Sequence, residues 1–183
     1  MSIRDEADQI LHGSGLMSIL KKYGKVYPVG SYLYDLMAWE DLDISIECEK
    51  TAEEMLYELS HSINQLMKPY RFEAGIKGEN AMFYSCEIKV NDKRWNMDIW
   101  FRDRKSIDTT LERCRVLSAQ VEGNPESRNQ IIGLKKDLIK LGLYGIDKNP
   151  VGHYHSDDVY RAVLEDEIKT VEAFLEKYPL HET

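Results

Sequence analysis

Two aspartates, Asp41 and Asp43, stand two positions apart in the run Asp41-Leu42-Asp43-Ile44-Ser45-Ile46-Glu47. Leu42, Ile44 and Ile46 alternate there with Asp41, Asp43, Ser45 and Glu47, and a period of two predicts a strand with one apolar and one polar face. Aspartate is poorly suited to strands. The i, i+2 spacing sends both carboxylates out of the same face with Cα atoms about 6.5–7 Å apart. Two carboxylates aimed into one space repel, and one is driven neutral unless a cation lies between them. A hard divalent ion meets that need, since Mg²⁺ takes oxygen ligands and keeps waters and substrate phosphates in its remaining positions.

A third carboxylate, Asp98, lies in Trp95-Asn96-Met97-Asp98-Ile99-Trp100-Phe101, where Trp95, Met97, Ile99 and Phe101 share one face and Asn96, Asp98 and Trp100 the other. An aspartate in so apolar a strand is costly to bury without a partner. If this strand neighbours the Asp41–Asp43 strand at the usual spacing of about 4.8 Å, three carboxylates converge. Such a set can hold two ions about 3.5–4 Å apart, the arrangement that stabilises attacking and leaving oxygens in phosphoryl and nucleotidyl transfer. Upstream, Gly30-Ser31 directly follows a short strand, Lys25 to Val29. Glycine lets a backbone approach a ligand closely, and the N–H groups with the serine hydroxyl can hold phosphate oxygens.

Each feature also has a plainer reading. Asp41 and Asp43 could be the wet face of an edge strand, Asp98 could pair with Lys89 or Arg94, and Gly30-Ser31 could be an ordinary turn. Lys135 lies closest to the apolar stripe Ile131, Leu134, Leu138 and Leu141 of a helix over 126–141, from which it could reach a triphosphate; a solvated basic face is the alternative. His153 and His155, in an extended segment before a helix, read as a solvated loop or as metal or acceptor contacts.

The elements that must position these groups follow from pattern. The first twenty-odd residues are helical, with a break at Gly13-Ser14-Gly15 and a stop at Gly24. Thr51 and Glu54 form a capping box ahead of Met55, Leu56, Leu59, Ile63, Leu66 and Met67 at helical spacing. Residues 81–90 and 94–101 are strands joined by Asn91-Asp92-Lys93 as a hairpin, and 70–76 supplies a further strand. Three helices follow: one opened by a Thr109/Glu112 capping box, one over 126–141, and one capped by Ser156 whose apolar stripe runs from Val159 to Leu175. The order predicts an α+β fold, a mixed sheet flanked by helices with a helical C-terminal cap, divided near residue 105 into a sheet domain (1–105) and a helical region (106–183).

The 183 residues suffice to bury roughly 70% of the unfolded surface without disulfides or a structural metal. Twenty-four Lys and Arg against 32 Asp and Glu leave a net charge of −8, which argues against general nucleic-acid or anionic-membrane binding. Cys48, Cys86 and Cys114 are odd in number and widely spaced, fitting a reducing compartment better than a disulfide framework. The acidic N-terminus is unlike a signal peptide and no run of about 20 apolar residues occurs, so a cytoplasmic soluble protein with no membrane partner is expected.

Val29-Gly30-Ser31, nine further residues, Asp41-Leu42-Asp43-Ile44 and the later Asp98 together resemble the DNA polymerase beta-like nucleotidyltransferase superfamily. The resemblance covers about residues 25 to 101. It implies two Mg²⁺ ions held by Asp41, Asp43 and Asp98. It also implies transfer of a nucleoside monophosphate from ATP or another nucleoside triphosphate to an acceptor hydroxyl, with pyrophosphate leaving. Size and acidity look more like the small stand-alone bacterial enzymes that adenylylate small molecules, such as aminoglycoside or lincosamide antibiotics, than like polymerases, so a small-molecule acceptor is expected. The alternative is a non-catalytic nucleotide-binding or antitoxin-like module of the same fold. The C-terminal amphipathic stripe could serve a homodimer interface.

Overall fold

Period-two alternation decides the sheet. The computed structural model describes residues 1–48, 53–77, 81–145 and 153–180. Strands β1 (Lys25–Val29), β2 (Asp41–Glu47), β3 (Arg71–Ile76), β4 (Ala81–Val90) and β5 (Lys93–Arg102) form one sheet in the order β1-β2-β5-β4-β3. The β2–β5 pair is parallel and the other pairs are antiparallel. Asn91 and Asp92 both adopt positive φ (50° and 62°), so β4 and β5 are joined by the two-residue turn whose twist matches its strands.

The chain divides into two compact units, Met1–Val116 and Leu117–Thr183. In the first, Leu42, Ile44, Ile46, Met97, Ile99 and Phe101 are wholly buried against helices on one face of the sheet. Those helices are α1 (Ile3–Asp8), a π-helical turn (Gln9–Gly13), α2 (Leu16–Leu20) and α4 (Glu53–Met67), which contribute Leu11, Leu16, Leu20, Leu59 and Ile63 to the same core. A single turn, α3 (Gly30–Leu33), lies between β1 and β2. The Thr51 cap falls outside the described residues.

Helix α5 (Arg104–Glu122) begins five residues before Thr109. Asp103, the better-placed cap, accepts the Ser106 N–H at 2.7 Å. Thr109 instead bonds back to the Lys105 carbonyl at 3.0 Å, and Glu112 pairs with Arg115 at 2.7 Å.

In the second unit, α6 (Pro125–Lys140) starts from Asn124, whose side chain accepts from Ser127 N–H. It packs on α7 (Ser156–Leu164) and α8 (Val171–Lys177) around Ile131, Leu134, Leu138, Val163 and Phe174. The single C-terminal helix expected from the stripe is two helices. The Ile168 N–H turns back to the Ala162 carbonyl (2.9 Å), Glu167 takes a left-handed φ of 53°, and Thr170 caps a new start through the Ala173 N–H. Among the described residues no helix is long and apolar enough to cross a membrane.

Candidate active site

The parallel register of β2 and β5 sets Asp43 directly beside Asp98 and Asp41 beside Asn96. Neighbouring residues in register share a face, so the Asp43 and Asp98 Cα atoms are separated by about the 4.8 Å inter-strand spacing. Asp41 lies two residues along the same face, and its Oδ1 accepts from the Asn96 amide at 2.8 Å. All three acids are half-buried, opposite the helix-covered face.

Gly30 is bound to this geometry in two ways. Its φ of +65° is left-handed, and a Cβ placed on it would lie 2.2 Å from Asp43 Oδ2. Only glycine lets the turn after β1 close against that carboxylate. Ser31 follows in α3, its carbonyl accepting the Leu36 N–H at 2.9 Å. The turn is anchored from behind by Tyr32, which is buried and donates its hydroxyl to Asp8 Oδ1 at 2.6 Å. The Arg4 guanidinium lies 3.8 Å over the Tyr32 ring and donates to the Tyr32 carbonyl. Helix α1 therefore fixes the glycine–serine turn that meets the acids.

Two further groups act on Asp43. Burial holds the Arg102 guanidinium below its ordinary pKa, and the Asp43 carboxylate works against that shift. Burial pushes the Tyr34 phenol upward, with Cys114 and Asp43 adding to the rise and Arg113 opposing it. Along the same sheet face, the Arg102 guanidinium stacks 4.6 Å from the Trp100 ring, and Trp100 packs on Phe83 at 5.5 Å.

Among the described residues no three His, Cys, Asp or Glu side chains already converge as a metal-binding cluster. The donor chemistry nonetheless fits Mg²⁺: carboxylate oxygens from one strand face, two of them on residues in direct register, with no nitrogen or sulfur ligand among them. Lys135 lies in the second unit. It is buried there, donates to the Tyr160 hydroxyl at 2.8 Å, and places its ammonium over the Tyr160 and Tyr144 rings. His153 and His155 approach to 4.7 Å between ring centroids.

Alternation puts Asn96 on the Asp98 face, but its bond to Asp41 needs the pairing of the two strands. Arg102, at i+4 from Asp98, lies one residue beyond the strand that the alternation over 95–101 predicts, and extending that alternation finds it. Tyr34 sits beyond a four-residue helical turn and carries no such signal.

No family model matches the chain, and no curated protein matches it. Solved structures do. The Cid1 poly(U) polymerase bound to MgGTP aligns with a TM-score of 0.62 at 16% identity, covering 88% of this chain and 49% of that one. The non-canonical poly(A) polymerase complex GLD-2–GLD-3 gives 0.58 at 12% identity, covering 99% and 59%. The polymerase core of TRAMP, an RNA surveillance complex, gives 0.58 at 15% identity, covering 88% and 48%. The chain spans about half the length of these structures. With its five-stranded mixed sheet and flanking helices, it has the nucleotidyltransferase fold.

Proposed function

We propose that this chain is a Mg²⁺-dependent nucleotidyltransferase that moves a nucleoside monophosphate, AMP first among the candidates, from a nucleoside triphosphate to a hydroxyl of a small-molecule acceptor. The observation that carries the reading is the register pairing Asp43 with Asp98, with Asp41 on the same face. Asp41 and Asp43 would hold two Mg²⁺ ions, with Asp98 sharing the second. The bound ions supply charge neutralisation on the α-phosphate and lower the pKa of the acceptor hydroxyl. Asp98 takes the proton from that hydroxyl. The acceptor oxygen forms a bond to the α-phosphorus, the bond from that phosphorus to its bridging oxygen breaks, and pyrophosphate leaves. Gly30 and Ser31 grip the outer phosphates through backbone N–H groups and the serine hydroxyl.

The same reading assigns the transfer site to residues 1–105 and a helical region to 106–183, with Lys135 a triphosphate ligand. If Lys135 has that role, Lys135→Met raises KM for the triphosphate while leaving the melting temperature close to that of the parent. A fall in melting temperature alone makes Lys135 a structural partner of Tyr160. A cytoplasmic setting is part of the proposal, and the buried thiols of Cys86 and Cys114 suit a reducing compartment.

A second acceptor class has its own support. The neighbours are named as poly(U) and poly(A) polymerases, and the Phe83–Trp100–Arg102 ladder on the acid-bearing face offers rings on which bases stack. The net charge of −8 counts against it. The test is incubation with Mg²⁺, each labelled nucleoside triphosphate, and a panel of aminoglycosides, other hydroxylated metabolites and single-stranded RNA. Pyrophosphate release with one small acceptor, abolished in Asp41→Ala, supports the first reading; an extension ladder on RNA supports the second. Nucleotide-induced stabilisation with no pyrophosphate from any acceptor overturns both in favour of a non-catalytic module.

A further inference from the structure

Strand β3 ends the sheet, and its outer edge is open among the described residues. Phe72 and Ile76 are 52% and 43% exposed, and Ala74 between them is exposed as well. Phe72 stacks on buried Tyr84 at 5.9 Å, which places 72, 74 and 76 on the helix-covered face. With Leu56, Tyr57, Ser60 and Asn64 of α4 they line a groove of about 540 Å³, and Tyr57 at its rim is 83% exposed. Edges that remain solvated usually carry a proline or a charge on such a face. Phe72, Ala74 and Ile76 supply neither.

We propose that β3 is a homodimer interface, in which two copies of this chain pair their β3 strands antiparallel about a two-fold axis at Ala74 and join their five-stranded sheets into one of ten. Backbone direction limits the register, and the side chains then choose among what remains. The Lys77 N–H donates to the Ala81 carbonyl at 2.7 Å, so the odd-numbered residues bond to β4. Alternation then turns the N–H and C=O groups of Phe72, Ala74 and Ile76 outward. An axis at Glu73 or Gly75 keeps the outward groups paired, but the first would set Glu73 against Glu73 and the second would leave Phe72 without a partner within β3. An axis at Phe72 would leave Ile76 outside the ladder.

With the axis at Ala74, Phe72 faces Ile76 of the second copy and Ala74 faces its own counterpart, each pair exchanging both N–H···O bonds. The Phe72–Ile76 contact occurs twice, as an aromatic–β-branched cross-strand pair. On the other face Glu73 lies opposite Gly75 and diagonal to Lys77 of the second copy, an attractive arrangement. Arg71, opposite Lys77 of the second copy, already has Glu87 as its counterion at 3.6 Å. The apolar face is complementary to itself, as an isologous interface requires.

Sedimentation velocity on the full chain between about 1 and 200 µM measures the equilibrium directly. The expected result is a monomer–dimer transition whose dissociation constant rises at least about tenfold in Ala74→Lys, where two like charges would oppose each other at the axis. Far-UV circular dichroism checks that Ala74→Lys remains folded. Ala74→Cys gives an independent readout, because paired β positions bring Cα atoms to about 5.5 Å, within disulfide reach. Mild oxidation should convert it to a covalent dimer, which the parent does not form. A chain monomeric up to the highest concentration, a dimer indifferent to Ala74→Lys, or failure of Ala74→Cys to cross-link overturns the proposal.

Discussion

On β2 and β5, residues one position apart meet opposite surroundings. Leu42, Ile44 and Ile46, with Met97, Ile99 and Phe101, are wholly buried under α1, α2 and α4. Asp41, Asp43 and Asp98, on the other side of the same backbone, keep polar and charged company: Asn96, Arg102, and the backbone of Gly30 pressed against the Asp43 carboxylate. The apolar face supplies the free energy of burial. The acid-bearing face gathers like charge at a cost that the first face must cover. Stability and chemistry are thus assigned to separate faces, and substitutions at adjacent positions should separate them.

The largest effect is expected from Asp43→Asn. It keeps shape and removes the charge, so pyrophosphate release should fall by about a thousandfold or more, equivalent to roughly 4 kcal/mol of lost transition-state stabilisation. Its melting temperature should match or exceed the parent's, because a source of repulsion is gone. Its immediate neighbour supplies the contrast. Ile44→Ala opens a cavity beneath the helices and should cost about 2–5 kcal/mol by urea denaturation, while turnover per folded molecule changes little. If Asp43→Asn unfolds the chain, or Ile44→Ala abolishes turnover without lowering stability, the division between faces fails.

Gly30→Ala tests the seam between the two roles. A left-handed alanine costs about 1–2 kcal/mol, and its methyl group must displace the Asp43 carboxylate. Stability should therefore drop modestly and turnover sharply, with KM for the triphosphate rising as the turn moves. Loss of stability with unchanged KM would remove Gly30 from the binding site and leave it a role in folding only.

Much of this arrangement could be read from residue order, and the exceptions share a cause. Alternation in 41–47 and 95–101 predicts both strands and which side chains share a face, because period two is a local property of the chain. That the two strands are neighbours is not local: Asp41 and Asn96 are 55 positions apart when they bond. Periodicity leaves that pairing open, and the resemblance to a known family is part of what points to it. The start of α5 lies where two caps compete. Thr109/Glu112 fits the capping pattern, yet Asp103 binds the Ser106 N–H first and the helix grows through Thr109. The apolar stripe from Val159 to Leu175 continues across the break at 165–170, so periodicity joined what the Thr170 cap separates. Helical spacing sets Lys135 beside its stripe, but its burial under Tyr144 and Tyr160 depends on residues nine and twenty-five positions further on.

The comparison sharpens last, and most finely, in pH dependence, since burial of hydrocarbon does not titrate and a carboxylate does. Glu47 closes the polar face of β2: its Oε2 accepts the Tyr27 hydroxyl at 2.7 Å and meets Arg104 Nη1 at 3.2 Å. The Tyr27 hydrogen bond is the main cause holding this carboxyl below its ordinary value of 4.5; desolvation opposes the shift and Arg104 reinforces it. A depressed pKa means the folded protein binds the proton less readily than the unfolded chain. The contribution is therefore complete above the unfolded pKa and disappears as pH falls through the lower, folded one. Glu47→Gln should melt below the parent at pH 7, and the gap should close as pH falls below about 4.5. The gap between parent and Ile44→Ala should persist over the same range. A Glu47→Gln deficit that stays constant down to pH 3 would show that this side chain stabilises by packing, as its apolar neighbours do, and not by its charge.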